Sequence, residues 1–443
     1  MLQCFVHATS APFLLGLMLF LVGLGILAIP GLADRWSRRA FVLTYSMCIL
    51  VAALNQFYQI RVFGDFLFSD EHTFYRLSYQ GLIGESLKEI PINAPLPVVI
   101  WRGLYTLCRS IGLGDGIWVG IMLNSLIVAF TANILVRTGR HIFGQDNQRL
   151  RQIGTLFSIS GLILLFGAFY LRDCFALILN VIFVWALVRI LCSPTVKNLW
   201  ITIGTALFVT TSMEYVRDGL IPMFVVFALL AALAWTRRRR TSVTFLGLIF
   251  GGLIVLIVGF QYISTFFGSA WALVERAAAF RRFEAAARTG SLAAKVVYAQ
   301  PLPIKAITGS MYLLLYPIPL WINFRWGIPG YWWMKGFNGC LMAVIMPLVF
   351  VGVGTALKRV VMGGKDAAPT FFLVLYMTVS LVAVAVSTME SRHIGQFLPV
   401  MFLLATIPDW RDRHIRRKIV NLGMVWFGML FMGHVWWWVL KGF

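Results

Sequence analysis

RDCFALILNVIFVWALVRIL, residues 172–191, decides the class of fold. An Arg-Asp pair opens it, everything from Cys174 to Val188 is uncharged, and Arg189 closes it. Such a run reads as a helix buried in hydrocarbon, and similar runs recur from end to end of the chain. Of the 443 residues, 60% are apolar and 12% charged, with a mean hydropathy of +0.83. A soluble domain carries about 25% charged residues. That composition excludes a cytosolic enzyme, a secreted domain and a disordered chain. The fold class is all-α: a polytopic membrane protein forming a single integral membrane domain over 1–443.

The formal charge of +21 would point to nucleic acid in a soluble protein. In a multi-span chain, basic residues gather in cytoplasmic loops instead, so no nucleic-acid partner is expected. Six basic stretches fit this: 34–39, 137–151, the region from Arg189 to Lys197, 237–240, 358–365 and 411–418. Together they hold 21 of the 38 Lys and Arg. The positive-inside rule places them in the cytoplasm. Between them lie about twelve crossings: 12–31, 40–60, 116–136, 152–170, 174–191, 199–214, 219–236, 242–262, 337–357, 369–388, 394–408 and 419–440. The N-terminus has no basic leader region, so the run from Pro12 to Pro30 reads as a retained span. The six cysteines are scattered without a CxxC pair, which predicts neither a disulfide framework nor a zinc site.

Two outer segments are long. The first, 61–115, is the candidate catalytic loop. The second, 263–310, contains WALVERAAAFRRFEAAARTGSLAAKVVY, which reads as an amphipathic helix on the outer membrane surface. MYLLLYPIPLWINF at 311–324 breaks the parity of the crossings, and Pro317 and Pro319 interrupt any straight helix there. It reads as a re-entrant or broken helix lining a cavity.

The first outer loop carries GDFLFSDEHTFYRLSYQGLIGE, Gly64 to Glu85. Asp70 and Glu71 are adjacent carboxylates, followed by Tyr75 at helical spacing. A carboxylate here can take a proton from an acceptor hydroxyl or hold a metal against phosphate. The same residues would also serve simply to start a surface helix. Two YxRD tetrads, Tyr170 to Asp173 and Tyr215 to Asp218, fall at outer helix entrances, and Glu390-Ser-Arg392-His393 falls on the same side. Charges beside spans are costly unless paired or wet. Arg172, Arg217 and Arg392 converging there would suit a phosphate, which guanidinium grips bidentately. Lys305 and His393 complete the phosphate-binding set. The alternative is that Asp173 and Asp218 cap helices while the arginines reach for lipid headgroups.

These features resemble the GT-C superfamily of membrane glycosyltransferases, including the dolichyl-phosphate-mannose–protein mannosyltransferases. The resemblance covers about residues 40–410. It is carried by the outer Asp70-Glu71 pair with Tyr75, by NAPLPVVIWRGLYTLCRSIGLGDG from Asn93, by the basic turn RTGRHIFG, by YLRDCFALIL, and by LLLYPIPLWINF and ESRHIGQFLPVMFLLA near the end. It implies that Asp70 is the catalytic carboxylate, with Glu71 assisting or holding a divalent cation, and that the sugar carbon is inverted. The donor would be a polyprenyl-phosphate-linked sugar, and the acceptor a glycan, lipid or protein. The chain departs from the family in having an extra span before the usual first one and no large soluble C-terminal domain. Trp332-Trp333 is followed by Met334, not aspartate, so protein N-glycosylation is not expected.

The expectation is therefore an inverting glycosyltransferase of cell-envelope glycan or glycolipid assembly, acting on the outer face. Compact loops fit a bacterial inner membrane with the site facing the periplasm, and an endoplasmic reticulum membrane carries the same charge asymmetry. Two rivals stay open. One is a polysaccharide polymerase or ligase using diphosphate-linked glycans, where the arginines and His393 would outweigh Asp70. The other is a lipid-linked glycan flippase, which discontinuous helices and charges would suit. No whole group of spans repeats, and no nucleotide-binding loop is present.

Overall fold

In the computed structural model, the structure describes residues 2–64, 70–80, 95–113, 116–217, 302–315, 320–362, 367–387 and 391–440. These residues form helices and connecting turns, with no strand among them. The protein is a membrane-embedded bundle of apolar helices. Seven described helices are long and apolar enough to cross a membrane. They are α2 (Arg35–Phe63), α5 (Trp118–Phe143), α8 (Asp173–Cys192), α9 (Val196–Arg217) and three later ones beginning at Gly330, Ala367 and Arg413. Before them, α1 (Leu2–Ala28) packs on α5. The expected crossings 219–236 and 242–262 and the outer helix within 263–310 lie outside the described residues.

Two expected crossings have a broken form. The span 152–170 is not one straight helix. It is α6 (Asn147–Ile159) and α7 (Gly161–Ala168), bent by 60° at Ser160. The bend has a local cause. Ser160 adopts an extended conformation and donates to Asn338 Oδ1 at 3.0 Å. Gly161 lies so close to the helix Gly330–Val361 that a Cβ there would come within 2.1 Å of the Met334 carbonyl oxygen. The second is 394–408, where only Leu398–Ala405 forms a helix of more than one turn. Eight residues rise only about 12 Å, too little to cross hydrocarbon. Every residue from 394 to 408 is buried, so protein satisfies the irregular backbone where lipid could not.

The bundle has two chemically distinct ends. At one, Asp34 caps α2 by accepting from the Trp36 and Ser37 amides at 2.8 and 2.9 Å. Its second oxygen pairs with Arg140 of α5 at 2.8 Å. Asp146 caps α6 in the same way. Arg411 donates to Gln148 at 3.2 Å, and Arg149 approaches Asp409 at 3.8 Å. Three basic stretches thus gather at this end, where cations complement the carboxyl terminus of α5.

The opposite end holds the first outer segment, whose described residues include two helices, α3 (Asp70–Gln80) and α4 (Pro95–Ser110). The proline-rich segment 311–324 divides there. Leu302–Leu315 is helical, 320–323 forms turns, and Pro317 and Pro319 lie outside the described residues. Leu320 donates its amide to His434 Nε2 at 3.2 Å, which ties these turns to the last helix, Arg413–Leu440.

Gly161→Ala should cost about 1–3 kcal/mol, because a methyl group there meets backbone that cannot rotate away. Gly25 has nothing within 4 Å of its Cβ position, so Gly25→Ala should be neutral or stabilising. Thermal denaturation of the two variants in detergent checks the contrast.

Candidate functional site

The site is built on a non-helical link between α7 and α8. Asn124 of α5 is fully buried. Its amide nitrogen donates to the carbonyls of Phe169 and Leu171, at 2.9 and 3.1 Å, and its oxygen accepts from Trp101 Nε1 at 3.0 Å. Ser125 donates to the Gly167 carbonyl at 2.9 Å. These bonds replace the helical ones that the link gives up. Tyr170, Arg172 and Asp173 are presented together as a result.

The first outer carboxylates meet this link from the other side. Helix α3 has Asp70 and Glu71 in its first turn, where acids suit the helix dipole. Its last turn is held by α4: Arg102 Nε donates to the Leu77 carbonyl at 2.9 Å, and Arg109 Nη2 to that of Tyr79 at 3.2 Å. Glu71 is buried, and its Oε1 accepts from the Tyr170 amide at 2.8 Å. Glu71 therefore pins α3 to the link. Asp70 stands more open and pairs with Arg392 Nη2 at 2.7 Å.

A second ion pair lies deeper. Asp173, 4% exposed, accepts from Arg217 Nη1 at 3.0 Å and from Gln396 Nε2 at 3.4 Å. Gln396 is in turn fixed through its carbonyl by Asn180, which also accepts from the Tyr376 hydroxyl. Arg172 and Arg392 are within electrostatic reach of Asp173. Arg172 lies over the Phe74 ring at 5.6 Å.

The residues singled out from sequence thus largely meet. Asp70, Glu71, Arg172, Arg217, Arg392 and His393 come together from four separate stretches of chain. Tyr75 is close by, inside a cluster with Tyr79, Tyr105 and Tyr170 at centroid distances of 5.5–6.2 Å. Lys305 lies on Leu302–Leu315, but its side chain is outside the described residues. Asp218 and Glu390 are also outside them. Among the described residues, no three His, Cys, Asp or Glu side chains form a metal-binding group.

Sequence reasoning misses Lys335 and Gln396, and it places Asp173 in a charged tetrad without assigning it a role beyond capping a helix. Lys335 is 2% exposed, with its ammonium 4.2 Å from the Tyr331 ring and 4.5 Å from that of Trp332. The available signal was GYWWMKGFNGC: one charge at the head of an apolar run is a candidate by default. His393 is encircled. Burial first, then the charges of Arg217, Arg392, Lys335 and Arg172, hold its pKa well below the ordinary histidine value. Burial and like charge thus favour the neutral imidazole, and cations grouped in this way attract an anion.

Neither the family models nor the curated proteins compared with the chain match it. The assignment of function therefore rests on the site itself.

The lowered pKa of His393 has a consequence for stability. Below the ordinary histidine value of about 6.5 the unfolded chain takes up a proton there that the folded chain refuses, so stability falls as pH falls. His393→Gln should flatten this loss between about pH 6.5 and 5. Melting curves of both proteins across that range test it.

Proposed function

We propose that this protein is an inverting glycosyltransferase of the GT-C type, transferring a sugar from a polyprenyl-phosphate carrier to an acceptor hydroxyl. The observation that carries the reading is the Asp70–Arg392 pair at 2.7 Å, set beside Arg172, Arg217 and Lys335. A carboxylate able to take a proton thus adjoins a cluster able to hold a phosphate. Three of the basic stretches, 34–39, 137–151 and 411–418, meet at the other end of the bundle, which supports a site facing away from the cytoplasm.

In this mechanism the acceptor oxygen attacks the anomeric carbon while its proton passes to the Asp70 carboxylate. The bond from that carbon to the phosphate oxygen breaks, and its electron pair stays on the phosphate. Negative charge grows on the leaving group, where fixed guanidinium groups stabilise it. Asp173, itself bonded by Gln396, holds Arg217 in place, and Glu71 holds α3, so the donors are oriented before the substrate enters. Attack opposite the leaving group inverts the sugar carbon.

The electrostatic influence of four cations on His393 favours one second reading, a polymerase or ligase acting on diphosphate-linked glycans. There the arginines would dominate and Asp70 would matter less.

Turnover of a panel of polyprenyl-phosphate sugars in nanodiscs separates the two. Asp70→Asn should lower turnover by at least about 10²-fold while changing stability by no more than about 1 kcal/mol. Full activity in that variant would overturn the transferase. Loss of glycan assembly in Arg172→Ala and Arg217→Ala, with Asp70→Asn still active, would favour the diphosphate reading.

A further inference from the structure

The two carboxylate–arginine pairs differ in exposure. Asp173 and Arg217 are enclosed, with side chains 5% and 19% exposed. Asp70 is far more open, at 44%, while Arg392, at 23%, is close to Arg217 in exposure. An exposed ion pair is weak and readily exchanged, and a phosphate offers guanidinium a stronger, forked partner.

The partners also differ in freedom to move. Asp70 sits on a helix fixed at both ends, by Glu71 to the Tyr170 amide and by Arg102 and Arg109 to the last carbonyls. Arg392 sits on the single turn Ser391–Ile394. It feels Asp173 as well as Asp70, so a counter-charge remains behind it when Asp70 is released.

We propose that Arg392 masks Asp70 in the empty site and exchanges it for the phosphate of the arriving carrier, which exposes the carboxylate to the acceptor. The inference rests on the transferase reading and adds an order of events. The donor must be seated before the base is offered, so the empty enzyme presents no free base to water. The carrier phosphate would then be both substrate and switch.

The exchange predicts that the carboxylate competes with the ligand. Binding of undecaprenyl monophosphate would be titrated in nanodiscs for wild type, Asp70→Asn, Arg392→Gln and the double variant. Asp70→Asn should bind up to about five-fold tighter than wild type, the ratio that an exposed ion pair converts to. In the Arg392→Gln background the same substitution should leave affinity unchanged. Equal tightening in both backgrounds would mean a general field effect and would overturn the exchange, as would no tightening at all. Wild type that fails to bind the probe would overturn the transferase reading together with the exchange. A second measurement needs no arginine variant. The carboxyl carbon resonance of Asp70, assigned by its loss in Asp70→Asn, should shift when the probe is added to wild type. An unmoved resonance in a protein that binds the probe would also overturn the exchange.

Discussion

A chain that leaves helical geometry inside an apolar bundle must find a partner for every amide and carbonyl it frees. The link from Phe169 to Arg172 meets that demand with side chains from distant parts of the sequence. Asn124 takes two carbonyls, Ser125 takes the one before them, and Glu71 takes the Tyr170 amide. Each of these residues is buried. Loss of one would leave a backbone group without water or partner, which costs more than the bond itself contributes. The candidate site depends on this arrangement. The direction of Arg172, the start of α8 at Asp173 and the seat of α3 all follow from it.

The same principle divides labour among the carboxylates. Glu71 and Asp173 are enclosed and hold other groups in position, one an amide and the other Arg217 and Gln396. Asp70, one residue from Glu71 in sequence, stands at the edge and pairs with Arg392. Neighbouring acids on a helix point about 100° apart, so one can face the core while the other faces the site. The adjacent pair thus supplies one anchor and one group left for chemistry.

Much of the fold was legible because lipid imposes a simple rule on composition. The runs at 40–60, 116–136, 174–191 and 337–357 are long, apolar and nearly free of charge, and each falls within a long helix but for the first two residues of 116–136. The rule fails where protein, not lipid, surrounds the segment. Hydropathy cannot distinguish 152–170 from a straight crossing, because the bend depends on Gly161 meeting the backbone at Met334. Nor can it distinguish 394–408, whose apolar residues are enclosed by other helices. For the site, charges next to spans pointed to Asp70, Arg172, Arg217 and Arg392. The contacts between them, and the roles of Gln396 and Asn124, depend on tertiary packing. Uncharged amides in apolar runs give little warning that they organise a site.

The enclosed stretch from Ile394 to Pro408 bears on how the protein is made. A short helix flanked by His393 and Gln396 on one side and Thr406 on the other is a poor candidate for independent insertion into a bilayer. Its first stable host is the surface already formed by earlier helices, above all the one beginning at Gly330, where a Cβ at Gly352 would collide with the Leu404 carbonyl. Docking of this stretch brings Arg392 to Asp70 and Gln396 to Asp173. The site is therefore completed late in biogenesis, after most of the chain has been synthesised, and a nascent protein truncated before this point would carry Asp70 without the arginine that faces it.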